Sequence, residues 1–151
     1  MTTTYPGLST VNLSPDCDFS SGVLPDSFSW NSAQFDLLWD ARPQAYHEIL
    51  MRGRLVKTPR WQQAYGADYH YTGRVNSALP TPSLLSLFLA WAKEAIDDRL
   101  NGILVNWYDL SLGHYIGKHR DSRANMFAGS PIVTISLGTG RTFRLRPWKG
   151  A

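Results

Sequence analysis

A stripe of apolar residues with helical spacing runs through the middle of the chain. Apolar side chains that recur every three or four residues are typical of a helix packed on one face. Thr81-Pro82 supplies a capping residue followed by proline at the first helical position, and Asn101-Gly102 is a typical helix end. The pattern therefore predicts a helix from Pro82 to about Leu100 that packs on a sheet. The stripe consists of Leu85, Phe88, Trp91, Ala95 and Ile96.

A shorter helix is predicted to begin after Asn31. Asn31 and Gln34 have the spacing of a capping box, in which each side chain bonds the backbone of the other residue. Pro43 would end this helix, because proline cannot continue the hydrogen-bond pattern. Residues 1–29 are rich in Ser, Thr, Pro and Asp, and we expect them to be an N-terminal extension of a domain at 30–151. The apolar face of the helix would consist of Phe35, Leu38 and Trp39.

Short runs typical of β-strands fill most of the remaining chain. Residues 46–51 and 55–57 flank Arg52-Gly53, which is a turn signal and predicts a hairpin. Residues 132–137 and 142–146 alternate apolar and polar positions around Gly138-Thr139-Gly140, a second hairpin signal. With the two helices, these runs predict a mainly β protein with helices, an α+β fold built as a sandwich or jelly roll. Further strands are predicted at 62–65, 69–72, 103–108 and 115–118.

Composition narrows the class of protein. The chain has 151 residues, of which 43% are hydrophobic and 18% are charged, so we expect one folded domain. Its single cysteine, Cys17, excludes a disulfide framework and a Cys-rich zinc module. No apolar run is long enough to cross a bilayer, and the start of the chain lacks a secretory signal. We therefore expect a cytoplasmic or nuclear protein without a membrane partner.

Charge is distributed unevenly along the chain. Residues 1–50 contain six acids and one base, whereas residues 51–151 contain six acids and fourteen bases. Arginines outnumber lysines eleven to four, and the planar guanidinium is suited to bidentate phosphate binding. Residues 51–151, which we call the basic body because of their excess of bases, therefore favour a polyanionic partner such as nucleic acid.

His119-Arg120-Asp121 is the most specific chemical feature. On an extended chain, residues two apart point to the same side, so the imidazole and the carboxylate would face one centre. A neutral nitrogen and an anionic oxygen suit a divalent first-row metal. Because two ligands make only part of a site, the motif predicts a metal held together with a third group from elsewhere. An ordinary surface pair is the alternative.

Several other motifs occur around this pair in a recognisable order. Pro59-Arg60, Tyr69-His70-Tyr71 and Asn106-Trp107-Tyr108 precede it, and the run at 129–138 follows it. In this order the motifs resemble the AlkB family of iron(II)- and 2-oxoglutarate-dependent nucleic-acid demethylases. The likeness is greatest to the eukaryotic-type branch that repairs alkylated double-stranded DNA, and it covers about residues 46–147. It implies a double-stranded β-helix, the jelly roll, with a helical and hairpin lid.

The resemblance implies Fe(II) and 2-oxoglutarate as cofactors. It assigns His119 and Asp121 to the metal site, where they are also the catalytic residues. It assigns Asn106 and Tyr108 to hydrogen bonds with 2-oxoglutarate. The implied reaction is oxidative demethylation of alkylated DNA bases, with RNA as a second candidate substrate, and it releases formaldehyde and succinate. We expect the chain to act as a monomer.

The resemblance also assigns the substrate-binding residues. Tyr69 and Tyr71 match the pocket for the flipped base, with the His119 ring on the base face opposite Tyr71. Arg60 matches a position that contacts the DNA near the vacated base. Arg52 lies in the turn that matches the finger hairpin, which fills the gap in the duplex. These assignments agree with the physics, because a base must leave the stack to be oxidised and is then held by aromatic rings.

Two parts of the family pattern are missing after Asp121. The family has a second metal-binding histidine and late arginines for 2-oxoglutarate, whereas the four histidines of this chain are at 47, 70, 114 and 119. The final jelly-roll strands are missing too, so the domain is predicted to be C-terminally incomplete. The chain is then either part of a longer enzyme or a catalytically silent nucleic-acid-binding or regulatory module. A relative that acts on protein or lipid is disfavoured by the paired tyrosines and the basic body.

Overall fold

The computed structural model describes residues 5–71 and 73–146. The N-terminal extension contains more structure than the sequence predicts, because β1 (Ser9–Ser14) and β2 (Cys17–Ser21) form an antiparallel hairpin. A 3₁₀ helix follows at Asp26–Phe28. Most side chains of this hairpin are exposed, whereas Leu24 and Phe28 pack against the core. The extension therefore packs on the core through its C-terminal end, and Phe19 of β2 also stacks on Phe143, with ring centroids 6.4 Å apart.

The first helix confirms the capping box. Helix α1 spans Ser32–Asp40. The Asn31 Oδ1 atom accepts from the backbone N–H of Gln34 at 2.9 Å, and Gln34 Oε1 accepts from the backbone N–H of Asn31 at 3.0 Å. Two of the N–H groups that a helix start leaves unpaired are satisfied in this way, which is why so short a segment is helical.

The predicted hairpin around residue 52 is also confirmed. Strand β3 (Glu48–Met51) pairs antiparallel with β4 (Arg54–Lys57), and Arg52-Gly53 forms the connection. Both connecting residues have positive φ, 50° for Arg52 and 76° for Gly53, as a type I′ turn requires. Arg52 consequently lies at the exposed tip of the hairpin.

Two further antiparallel strand pairs follow, and the first of them contributes Tyr65 and Trp107 to the core. Strand β5 (Trp61–Tyr65) pairs antiparallel with β8 (Ile103–Trp107), and β6 (Tyr69–Tyr71) pairs antiparallel with β7 (Arg74–Asn76). The Asn76 side chain joins the two pairs. Its Oδ1 atom accepts from Ala64 N at 2.8 Å, and its Nδ2 atom donates to Gln62 O at 3.3 Å.

Helix α2 spans Ser83–Ala95 and covers one side of the β5–β8 pair. It begins after Pro82, close to the prediction, but it ends five residues earlier than predicted. Beyond Ala95, the Asp97 carboxylate accepts from the backbone N–H of Arg99 at 3.0 Å, a local bond that competes with helix continuation. The buried core cluster consists of Tyr65, Leu85, Phe88 and Trp107.

The strand predictions after residue 114 are wrong. Residues 108–146, all of which the structure describes, contain one 3₁₀ helix at Arg123–Asn125 and no strand, and the second predicted hairpin is not formed. Alternation nevertheless survives, since Val133, Ile135 and Leu137 are less exposed than their neighbours. A period of two predicts which side chains turn inward, but a strand also needs a neighbouring backbone to bond.

The fold class is confirmed as a mixture of sheet and helix. In the described residues the strands form four two-stranded antiparallel sheets, so the jelly roll itself stays a prediction. None of the described helices is long and apolar enough to cross a membrane.

Candidate functional site

The predicted metal pair lies on an irregular loop, where it is about two-thirds buried. The Nε2 atom of His119 is 3.5 Å from the Oδ1 atom of Asp121, and the two side chains are 29% and 33% exposed. The other ring nitrogen, Nδ1, is 2.7 Å from the carbonyl oxygen of Gly117. Because a carbonyl only accepts, Nδ1 carries the proton, and in the neutral ring the Nε2 lone pair faces the carboxylate side. This is the tautomer that a metal-binding histidine needs.

The two tyrosines of β6 lie against this pair. The Tyr69 hydroxyl donates to Asp121 Oδ1 at 3.3 Å, and the rings of Tyr69 and Tyr71 are 6.3 Å apart with planes at 23°. The His119 ring lies edge-on to the Tyr71 ring, with ring centroids 6.3 Å apart and ring planes at 87°. The structure thus brings the predicted metal pair and the predicted base pocket together. A base held between Tyr71 and His119 would require the imidazole to rotate.

Burial and a neighbouring carboxylate make the Tyr69 hydroxyl a weaker acid than an ordinary phenol. Burial, followed by the neighbouring Asp121 carboxylate, raises the pKa of Tyr69 to about 12, and the charge of Arg60 opposes this rise. The phenol is therefore neutral at physiological pH and remains a donor to the carboxylate. Burial also raises the pKa of Tyr108, again against the charge of Arg60.

The predicted 2-oxoglutarate residues lie on the β5–β8 pair. Arg60 is 8% exposed, and its Nε atom donates to the Asn106 Oδ1 atom at 2.7 Å. The alignment of Gln62 opposite Asn106 places Arg60, which precedes β5, beside the end of β8. Because Arg60 occupies the amide oxygen, Asn106 presents its Nδ2 hydrogens as donors, and a carboxylate needs donors.

Arg141, to which the sequence motifs assign no role, contacts the predicted 2-oxoglutarate residue Tyr108. Its guanidinium carbon lies 5.1 Å from the centre of the Tyr108 ring, and its Nη2 atom donates to the backbone oxygen of His114 at 2.7 Å. His114 is buried, accepts at Nδ1 from the Asp109 N–H at 3.1 Å, and lies 2.9 Å from the Tyr46 hydroxyl. No local pattern links residues 108 and 141, so only the folded chain reveals this contact.

The remaining predicted residue, Arg52, stands apart from these groups at the exposed hairpin tip. Its hairpin runs beside the β6–β7 connection, since a Cβ atom added at Gly73 would lie 3.8 Å from Leu50 Cδ2. The hairpin therefore borders the turn and strand β7, which pairs with the strand that carries the two tyrosines, and Arg52 projects at its free end.

The residues present fit part of an iron site. One imidazole nitrogen and one carboxylate oxygen are close enough to share a metal, and both donor types suit iron. In residues 5–71 and 73–146, His, Cys, Asp and Glu side chains form no group of three that could hold a metal ion. The described part of the chain therefore offers two candidate ligands for such a site.

Comparison with known proteins identifies the family. Residues 28–150 match the 2OG-Fe(II) oxygenase superfamily. The chain is 30% identical over 105 residues to the DNA oxidative demethylase ALKBH2 of Mus musculus. The matched region covers 68% of this chain and 44% of that protein. The chain is 31% identical to the ALKBH2 proteins of Homo sapiens and Bos taurus, of which it covers 40% and 37%. The chain thus spans less than half the length of these relatives. The AlkB-like resemblance is confirmed, and the chain belongs to the 2OG-Fe(II) oxygenase superfamily, whose members use Fe(II) and 2-oxoglutarate.

Proposed function

We propose that this chain takes part in the Fe(II)- and 2-oxoglutarate-dependent oxidative demethylation of alkylated DNA bases, with RNA as the second candidate substrate. The observation that carries the proposal is the 3.3 Å contact between Tyr69 and Asp121. Through it, an aromatic strand suited to a flipped base adjoins an imidazole–carboxylate pair suited to iron. The names of the ALKBH2 relatives support the same reaction.

The cofactors would be held by the residues of two separate elements. His119 Nε2 and Asp121 would bind Fe(II), and Asn106 Nδ2 and the Tyr108 hydroxyl would donate to 2-oxoglutarate. Arg141, stacked on Tyr108, restricts the movement of that ring. When bound, iron and 2-oxoglutarate would activate dioxygen: one oxygen atom would convert 2-oxoglutarate to succinate with loss of carbon dioxide, and the other would hydroxylate the N-methyl group, whose carbon would then leave the base as formaldehyde.

The substrate would be held by charge and aromatic surface. Tyr69 and Tyr71 would contact the flipped base, and base–aromatic stacking is worth about 1 to 3 kcal/mol per base. The exposed Arg52 would contact the nucleic acid near the vacated position. The resemblance assigns a similar contact to Arg60, but Arg60 is 8% exposed and donates to Asn106, so this contact stays a prediction. We further propose a jelly-roll domain at 30–151 after an extension at 1–29, and a monomeric protein located in the cytoplasm or the nucleus. The family match at 28–150 supports the domain boundary.

Anaerobic titration of the full chain with Fe(II) and 2-oxoglutarate tests the cofactor assignments. We expect a charge-transfer absorbance that needs both additions and is lost in His119→Ala and Asp121→Asn. His70→Ala is the matched control, because His70 is an exposed histidine on the strand next to the site. Formaldehyde release from an N-methylated DNA oligonucleotide then tests the reaction.

Two results would contradict the proposal in different ways. An iron complex that His70→Ala weakens as much as His119→Ala would refute the ligand assignment. Tight binding of the methylated oligonucleotide with neither an iron complex nor formaldehyde would instead favour the silent nucleic-acid-binding module.

A further inference from the structure

The side chain of Asn125 makes two short hydrogen bonds to one residue of β6. The backbone N–H of His70 donates to Asn125 Oδ1 at 2.7 Å, and Asn125 Nδ2 donates to the backbone oxygen of His70 at 2.7 Å. A single amide therefore pairs both backbone groups of a strand residue, as a residue of a neighbouring strand does in an antiparallel ladder.

The position of this contact is significant for the site. Strand β6 has three residues, and His70 lies between Tyr69 and Tyr71. One edge of the strand is paired with β7, with Val75 opposite His70. Holding the central residue at the other edge fixes the backbone from which both tyrosine rings project. The His70 side chain is exposed, so its backbone is what Asn125 recognises.

The other end of the link leads to the metal pair. Asn125 closes the 3₁₀ helix Arg123–Asn125, which begins where the Ser122 hydroxyl accepts from the Ala124 N–H at 3.2 Å. Ser122 directly follows Asp121, so one tight, capped turn separates the predicted ligand from the amide that holds β6. A turn of this kind transmits position because few backbone angles remain free.

We infer that Asn125 is a positioning residue that sets the distance between the base-holding tyrosines and the His119–Asp121 pair. The inference rests on the proposed function for its consequence, but its structural part is independent of it. Tyr69 and Asp121 are far apart in sequence, and the hydrogen bond between them is 3.3 Å long, which is long for a hydroxyl donor and therefore weak. The two Asn125 hydrogen bonds, in contrast, are short. The register of the two segments therefore depends on Asn125 more than on Tyr69.

The chemistry requires asparagine at this position. Alanine would remove both bonds, and glutamine would place the amide one methylene too far. Aspartate would keep the acceptor for the His70 N–H but would set a second oxygen against the His70 carbonyl. Asn125→Asp therefore separates the two bonds with almost no change in size.

Amide hydrogen exchange at His70 tests the structural part without any activity. We expect exchange in Asn125→Ala to be about tenfold faster than in the parent chain, the equivalent of one ordinary hydrogen bond. Asn125→Asp keeps the acceptor for the His70 N–H, so His70 should retain part of its protection in this variant. An exchange rate between those of the parent chain and Asn125→Ala shows that the effect is local and not a loss of the fold. Asn12→Ala is the control, since it removes a hydrogen bond from a side-chain amide to Asp18 in the β1–β2 hairpin, which does not include His70. Unchanged exchange at His70 would overturn the inference.

Binding measurements on the same variants test the consequence. We expect Asn125→Ala to weaken binding of an N-methylated DNA oligonucleotide about tenfold, while Mn²⁺ binding at the His119–Asp121 pair changes less than about threefold. If the His70 amide is freed but oligonucleotide binding is unchanged, Asn125 holds the loop only, and the positioning role is refuted. If the parent chain binds no oligonucleotide, the proposed function is refuted. The consequence of the inference for substrate binding is then refuted too, whereas its structural part is tested by hydrogen exchange at His70.

Discussion

Strand β8 and residues 132–137 are similar in composition but differ in structure. Both are short runs rich in branched aliphatic residues, Ile103 to Trp107 in one case and Ile132 to Leu137 in the other. Strand β8 pairs along its whole length with β5, whereas 132–137 has inward and outward side chains but no ladder. Side-chain alternation is a property of the run itself. Strand formation is a property of two runs, because each backbone polar group needs a partner.

The same difference divides the candidate site. The Arg60–Asn106 contact belongs to the paired region, and its guanidinium is buried. The His119–Asp121 pair lies on the unpaired segment, and its position depends on side-chain bonds to Gly117, Tyr69 and, through Asn125, His70. The half of the site assigned to 2-oxoglutarate is thus held by a ladder, and the half assigned to the metal is held by isolated bonds.

The largest expected difference between the two regions is in amide hydrogen exchange. The slowest amides of β5 and β8 should exchange about a thousandfold more slowly than any amide of residues 132–137, because ladder bonds open only with the core. Exchange followed by NMR or mass spectrometry measures this directly. Comparable protection at 132–137 would mean that this segment does have a strand partner in solution.

Two phenylalanines provide a matched test of packing. Phe88 on α2 is 5% exposed, and Phe143 in the unpaired segment is 63% exposed. Phe88→Ala should lower the free energy of unfolding by about 3 to 5 kcal/mol, and Phe143→Ala by about 0.5 kcal/mol or less. Urea denaturation checks both values. Equal losses would show that residues 141–146 pack as tightly as the core.

Two arginines test whether the buried contact stabilises the paired region. Arg60→Met leaves the Asn106 oxygen without its donor and should cost about 1 to 3 kcal/mol of unfolding free energy. Arg144→Met, at an exposed position, should change that free energy by less than about 0.5 kcal/mol. Urea denaturation of both variants distinguishes them, and a neutral Arg60→Met would show that the contact contributes no net stability.

The smallest expected effect concerns His47, which precedes β3. Burial lowers its pKa below 6.5, the charges of Arg74 and Arg60 lower it further, and Glu48 opposes them. Between the lowered pKa and pH 6.5, the unfolded chain therefore binds a proton at His47 that the folded chain does not bind. The contribution of His47 to the free energy of unfolding is fully present above pH 6.5 and is lost as the pH falls through the lowered value. His47→Gln should reduce the loss between about pH 7.5 and about pH 5.5, measured by urea denaturation, whereas the exposed control His70→Gln should not. An equal reduction in both variants would contradict this assignment.

Much of the local structure could be predicted because its causes lie close together in sequence. The Asn31–Gln34 box predicted α1, and Arg52-Gly53 predicted the hairpin of β3 and β4. The prediction for α2 failed at its C-terminal end, where the Asp97 side chain competes for the backbone. The strands predicted after residue 114 failed because alternation specifies a face and does not supply a partner.

The amino-acid sequence alone is enough to place the starts of the two helices, the hairpin of β3 and β4, and the order of the motifs that point to the superfamily. Which of these residues contact each other follows from the packing of the folded chain. The contacts of Tyr69 with Asp121, Arg60 with Asn106 and Asn125 with His70 join residues 52, 46 and 55 positions apart. Helix caps and turns arise from bonds within a few residues, so their causes can be read from adjacent letters. A contact across some fifty residues depends on how every intervening element packs.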